Sequence, residues 1–219
     1  MNRRMDRLSE TLRMHWLALL VGAVFIYTLL PFLAPVLVKL GARGAAQVLY
    51  TPYKAVCHTW AFRSFFLFGE RVEYPRGNGD GIFEQASGID PTTADGLNAA
   101  RDFIGNEQMG YKVALCERDL AIYASLGLNG LAFALVRRRA RQLPWAAFVL
   151  IGLVPVGLDG FSQLFSQPPF DLLPFFNQLG FRESTWWLRL ITGSLFGTSV
   201  AWLIFPLIQS AFDGDAPRE

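Results

Sequence analysis

Four long apolar stretches punctuate an otherwise mixed chain: Trp16 to Leu40, Leu120 to Val136, Pro144 to Phe165 and Trp186 to Phe212. About 20 mainly apolar residues in a helix are enough to cross the hydrocarbon layer of a bilayer. The pattern therefore predicts an all-α polytopic membrane protein with four transmembrane helices. It divides the chain into a basic N-terminus (1–15), a first span (16–40), an outward-facing cap between helices 1 and 2 (41–112), a bundle of the second to fourth spans (113–212) and a polar tail (213–219).

Composition agrees with that division. Hydrophobic residues make up 52% of the 219 and charged ones 17%, too apolar a mixture for one modest soluble core. The net charge of +2 comes from 20 basic and 18 acidic residues with no basic stripe, so nucleic acid is not an expected partner and the lipid bilayer is. Arg3, Arg4, Arg7 and Arg13 precede the first apolar stretch, which is too long for a signal-peptide core and reads as an uncleaved anchor. Arg137, Arg138, Arg139 and Arg141 fall in the short link between spans two and three. Basic residues in short links stay on the cytoplasmic side. Both termini are then expected in the cytoplasm of a prokaryotic plasma (inner) membrane, with the cap and a shorter loop, Ser166 to Thr185, outside.

Within the cap, Val56 to Gly69 carries four phenylalanines and a tryptophan, too short to span; it lies on the interface or re-enters under protein cover. The glycine-rich run Arg76 to Gly81 reads as a bend. Pro91 with acids nearby and Gly105 beyond predict a surface helix from about Pro91 to Ile104. Pro31 and Pro35 bend or end the first span. Gly193, Gly197 and Ala201 form a small-residue face suited to helix packing within the bundle, and Trp186 and Trp187 to the headgroup belt.

The candidate chemistry is carried by few residues. Cys57 and Cys116 are the chain's two cysteines, and the expected topology puts both in an oxidising compartment. A Cys57–Cys116 disulfide is one reading. With His58 and Asp119 they also make a ligand set, Cys57, His58, Cys116 and Asp119, suited to zinc or a related metal. The two readings exclude each other, because a metal needs the thiolates a disulfide consumes, and both stay open. The other histidine, His15, falls at the opposite side as an interface anchor. An acid inside a span is costly in lipid, so Asp159 and Gln163, one turn apart, should face the bundle interior. Arg182, Thr185 and Arg189 at the head of the last span complete a polar cluster, with Arg189 the expected partner of Asp159.

With these motifs in view, the chain resembles a family of uncharacterised prokaryotic integral membrane proteins, the domain of unknown function 2085 (DUF2085). The resemblance rests on Cys57-His58 with Arg63-Ser64-Phe65-Phe66 and Phe68-Gly69, Gly110-Tyr111-Lys112, Cys116-Glu117-Arg118-Asp119 with Ile122-Tyr123, Asp159-Gly160 with Gln163, and Arg182-Glu183-Ser184-Thr185 with Arg189, Thr192 and Gly193. It implies a membrane location and a shared site but no reaction. The family's commoner form places a third cysteine where this chain has Asp119, which implies a mixed site in place of a thiolate-rich one.

The functional expectation is an accessory or partner-binding subunit of a membrane complex, without catalysis of its own, bearing the disulfide or metal site near the outer leaflet. The alternative is a membrane enzyme acting on an anionic lipid or lipid-linked headgroup, with Arg118, Arg182 and Arg189 on the anion. A carrier using Asp159 is disfavoured because no inverted repeat or broken helix pair is evident.

Overall fold

The computed structural model describes residues 3–137, 140–167 and 180–214, so Arg138, Arg139, most of the outer loop and the end of the tail lie outside the described residues. Four helices have the length and hydropathy to cross a membrane: Glu10–Lys39, Glu117–Val136, Trp145–Phe165 and Trp186–Asp213. They coincide with the four apolar stretches. The chain is an all-α polytopic membrane fold. Leu19, Ile26, Leu128, Leu135, Leu150, Leu158, Phe161 and Ile191 are exposed on these rods, a surface that only lipid or another apolar partner covers.

The first rod is α1 (Arg3–Leu29), a 3₁₀ turn at Leu30–Phe32 containing Pro31, and α2 (Leu33–Lys39). The prolines thus tighten one turn without ending the span. A helix absent from the sequence expectation follows, α3 (Arg43–Val56), whose Ala46, Tyr50 and Tyr53 are buried against α2 and the start of α6. The Tyr50 hydroxyl donates to the Lys112 carbonyl at 2.6 Å, and that of Tyr53 to the Tyr27 carbonyl at 2.7 Å.

The cap continues through α4 (Ile82–Ser87) and α5 (Ala94–Asp102) around a small antiparallel sheet of β1 (Phe66–Leu67), β2 (Gly105–Asn106) and β3 (Gly110–Lys112), ordered β1-β3-β2. The expected surface helix is shorter than read: Thr93, not the residue before Pro91, caps it, its hydroxyl accepting from Gly96 N at 3.0 Å, and it stops at Asp102. Gly105 instead enters β2 in a left-handed conformation. Phe62 and Phe66 of the aromatic segment join Tyr74, Phe83, Ala100 and Met109 in the cap's own core. The segment is therefore protein-covered, with Phe68 left exposed and Phe65 edge-on to Trp186.

In the bundle, α6 (Glu117–Val136) packs along the last helix, α9 (Trp186–Asp213). The expected small-residue face makes this contact. A methyl group on Gly193 would stand 2.7 Å from the Arg118 carbonyl oxygen, and one on Gly197 would overlap the Ile122 carbonyl. The third rod is not uniformly α-helical: α7 (Trp145–Ala147) runs into a π-helical stretch, Phe148–Leu153, before α8 (Val154–Phe165). Gly152 lies there against Ser199 of α9. At the other end, Trp16, Leu17, Val21, Phe133, Ala201 and Phe205 form an apolar cluster joining the first, second and last rods.

Candidate functional site

Where the cap meets the bundle, side chains from separate parts of the chain converge. Cys57 ends α3, Cys116 is the N-cap residue of α6, and Asp119 lies one turn along α6. One ligand atom from each of Cys57, Cys116 and Asp119 lies within 4.8 Å of the other two. Two ligands at tetrahedral zinc sit about 3.8 Å apart given Zn–S bonds of about 2.3 Å, so small side-chain movements close the triad on a metal. Both cysteines are free thiols and half-buried. A hydrogen bond shared with Cys57, followed by burial, pushes the Cys116 thiol well above the ordinary range. Such a thiol stays protonated until a metal displaces its proton.

His58 does not belong to that group. Its ring packs on Trp60 with centroids 4.6 Å apart, although it lines the same pocket as the triad. Tyr123, one turn beyond Asp119, packs edge-on to Tyr27 at 4.6 Å.

The pocket has a volume of about 270 Å³. Cys57, His58 and Thr59 form one wall, Cys116, Arg118 and Asp119 another, and Gln163 and Arg189 reach it from the third and fourth spans. Asp119 is the one carboxylate among the described residues that line it.

Behind the pocket runs a buried ionic network. Asp159 is 4% exposed, as an intramembrane acid should be, but its partner is not Arg189. Asp159 instead pairs with Arg118 and with Arg182 at 2.9 Å, and accepts the Ser184 hydroxyl at 2.8 Å. Arg189 turns to Glu117 at 2.7 Å and to Glu183. The expected pairing fails because the start of α6 supplies competing partners: Arg118 takes Asp159 and Glu117 takes Arg189.

Glu183 was not picked out from the sequence as a cluster member, yet it is the hub. Arg63 donates to it at 2.7 and 3.2 Å, Arg76 at 3.0 Å and Gln163 at 3.1 Å, in addition to Arg189. Burial acts to raise its carboxyl, and the charges of Arg63, Arg189 and Arg76 outweigh that and hold it below the usual range. Burial in turn lowers Arg63 to about 10 despite Glu183. The segment from Arg76 to Gly81 does bend, at Asn78 to Gly81, but Arg76 has a further place: it is buried, pairs with Glu183, and donates to the Pro91 carbonyl at 2.9 Å. Thr185 is also corrected, since its side chain is exposed and caps nothing, while its carbonyl accepts from Arg189 N. Gln163 and Arg182 keep their expected places. The signal for Glu183 was available in the run Arg182-Glu183-Ser184, where an acid between polar residues opens an apolar helix.

Comparison with known proteins matches the part of the chain that holds most of this network. The model of a family described as predicted membrane protein, DUF2085, matches residues 103–203. That segment contains Cys116 to Asp119, Asp159, Gln163 and Arg182 to Arg189, while Cys57, His58, Arg63 and Arg76 precede it. An uncharacterized protein of Methanocaldococcus jannaschii, MJ1492, is 23% identical over 202 residues, covering 90% of this chain and 94% of that protein. No solved structure matches significantly. Over residues 103–203 the chain is similar to the DUF2085 family of predicted membrane proteins.

Proposed function

We propose that this is a metal-binding membrane protein whose working part is the pocket between cap and bundle, with Cys57, Cys116 and Asp119 holding zinc or a related metal. The observation that carries the reading is the mutual approach of these three ligand atoms within 4.8 Å at the wall of a pocket. Structural zinc sites are closed by four protein ligands, whereas three ligands leave a position for a further group. The triad has three, and its free side adjoins the pocket.

The role this supports is that of an accessory subunit presenting a bound metal and ligand to a membrane partner. Glu117, Asp159 and Glu183 are all committed to arginines, and Asp119 is committed to the metal, so the described pocket holds no carboxylate left over to move protons. The alternative is an enzyme acting on an anionic headgroup. The arginine-rich wall favours it, and the metal would supply an activated water at its open position. In either role the cap and site lie at the outer face of the plasma membrane, with both termini in the cytoplasm, because Arg137 and Arg141 flank the short link between the second and third spans.

Metal analysis of protein purified without chelator, combined with a thiol count under non-reducing, denaturing conditions, tests the reading. About one zinc-class ion per chain and two titratable thiols are expected. Absence of metal with no free thiol identifies a Cys57–Cys116 bridge instead and overturns the metal site. Loss of metal on Cys116→Ser, with the helical circular dichroism intact, separates a ligand from an adventitious contact.

A further inference from the structure

We propose that the same pocket binds an anionic oxygen ligand of the phosphate class through the Thr59 hydroxyl and the Arg118 guanidinium. The proposal rests on the pocket being the working part of the protein, and does not require the metal.

Unmet hydrogen-bond donors point to it first. Thr59 is 1% exposed and lines the pocket, and its Oγ1 has no partner among the described residues. Arg118 lines the opposite wall; one of its nitrogens pairs with Asp159, but its buried Nε has no partner either. Buried polar atoms are nearly always satisfied, and a native exception calls for a ligand, water or functional cause. A threonine hydroxyl and a guanidinium Nε both donate, and the guanidinium can only donate, so a ligand with several acceptor oxygens answers both.

Charge points the same way. Arg63, Arg76, Arg118, Arg182 and Arg189 share three carboxylates, Glu117, Asp159 and Glu183, and with Asp119 at the pocket wall counted as a fourth the guanidinium groups are still in excess. Arg76 and Arg189 are buried while Arg63, Arg118 and Arg182 are partly exposed, and a surplus of positive charge in so largely shielded a network favours an anion that joins it. Glu73 near Arg189 answers it poorly, because burial pushes its carboxyl upward against the pull of Arg189 and Arg71. Guanidinium is also the side chain best matched to phosphate oxygens.

Backbone conformation supplies a third observation. Thr59 has φ 49, a left-handed conformation that is an outlier for a β-branched residue. Strain of this kind collects where a side chain must be held in place for a ligand. The next residue is held by ring contacts, Trp60 packing on His58 and against the Arg63 guanidinium, 4.7 Å from its ring. At about 270 Å³ the space suits a phosphate or a lipid headgroup phosphate and is small for a larger organic ligand.

The test titrates protein in dodecyl maltoside, a phosphate-free detergent, with inorganic phosphate and separately with phosphatidylglycerol in mixed micelles, read by calorimetry and thermal shift. Saturable binding of at least one probe is expected. Thr59→Val keeps the branched shape and removes the hydroxyl, and should weaken binding about tenfold; Arg118→Lys keeps the charge and removes Nε, and should do likewise. Binding of phosphatidylglycerol alone assigns the ligand to a headgroup, and binding of phosphate alone to a free anion. Repeating the titration after chelation separates the two readings: Thr59-dependent binding by protein shown to lack metal supports this proposal while the metal site fails. No saturable binding of either probe, or binding unchanged by Thr59→Val and Arg118→Lys, overturns it.

Discussion

Glu117 and Arg189 face each other at 2.7 Å across the contact of the second and fourth spans, and their side chains are 1% and 4% exposed. Two charges so placed stabilise the fold only as a pair. Removing Arg189 leaves Glu117 buried and uncompensated, at a cost of about 3–5 kcal/mol, whereas removing Glu117 leaves Arg189 still paired with Glu183. Arg189→Met should therefore lower the thermal midpoint sharply, and Glu117→Gln should lower it less. Because Arg189 also serves Glu183, the double variant Glu117→Gln/Arg189→Met should recover part of the loss, not all of it. Thermal unfolding in micelles, followed by helical circular dichroism, provides the measurement.

Closeness of α6 and α9 depends on missing side chains. Gly197→Val places atoms against the Ile122 carbonyl, which is backbone and cannot step aside. Overpacking of this kind costs about 1–3 kcal/mol. The variant should unfold earlier than wild type, whereas Gly22→Ala, at a position with open space around it, should not.

The histidine separates the geometric triad from the wider ligand set expected from the sequence. His58→Ala should leave the metal content of the purified protein unchanged, since its ring is engaged with Trp60. Asp119→Ala should weaken metal binding by more than about 100-fold, beyond what loss of an outer-shell partner does. Competition with a chromogenic chelator measures both. Equal losses in the two variants would mean that His58 swings into the coordination sphere.

Lys112 gives the cap a pH signature. Its side chain is fully buried and its ammonium donates to the carbonyls of Thr59, at 2.8 Å, and Arg101, at 2.6 Å. Burial, reinforced by Lys54 and Arg101 and opposed by Asp102 and Cys57, lowers the amine from 10.5 to about 7. Between those values the unfolded chain holds a proton that the folded chain has released, so stability rises with pH across that window and is flat below it. Denaturant midpoints measured from pH 7 to 10 should climb for wild type and climb less for Lys112→Met.

The spans were legible because twenty apolar residues in a row have few other uses, and the burial of Asp159 was legible because lipid does not tolerate a carboxylate. Its partners were not. Pairing depends on how α6, α8 and α9 are rotated about their axes, and a change of one residue in register exchanges Arg118 for Glu117. The gathering of Cys57, Cys116 and Asp119 was readable from their common depth, yet the exclusion of His58 required the position of Trp60. Strands of two or three residues carry no periodicity, so the sheet was invisible. The amphipathic α3 was hidden in a segment taken wholesale as cap, and Arg76 by the glycines that follow it. Phe62 and Phe66 read as membrane-seeking because a small buried core and an interface attract the same side chains.

The π-helical stretch at Phe148–Leu153 acts as a phase setter for everything outward of it on the third rod. A wide turn accommodates one residue more than an α-helix would, and each residue advances the helix by about 100°. The extra residue is taken up within the turn, so Asp159 keeps the bearing it would have on a plain α-helix one residue shorter. Trimming a single position there, for instance Ile151, should let the rod relax to an α-helix with Asp159 still facing Arg118, Arg182 and Ser184. A residue added elsewhere between Leu153 and Asp159, with no second wide turn to absorb it, would swing the carboxylate by about 100° toward the acyl chains, so the network should survive the deletion and fail on the insertion.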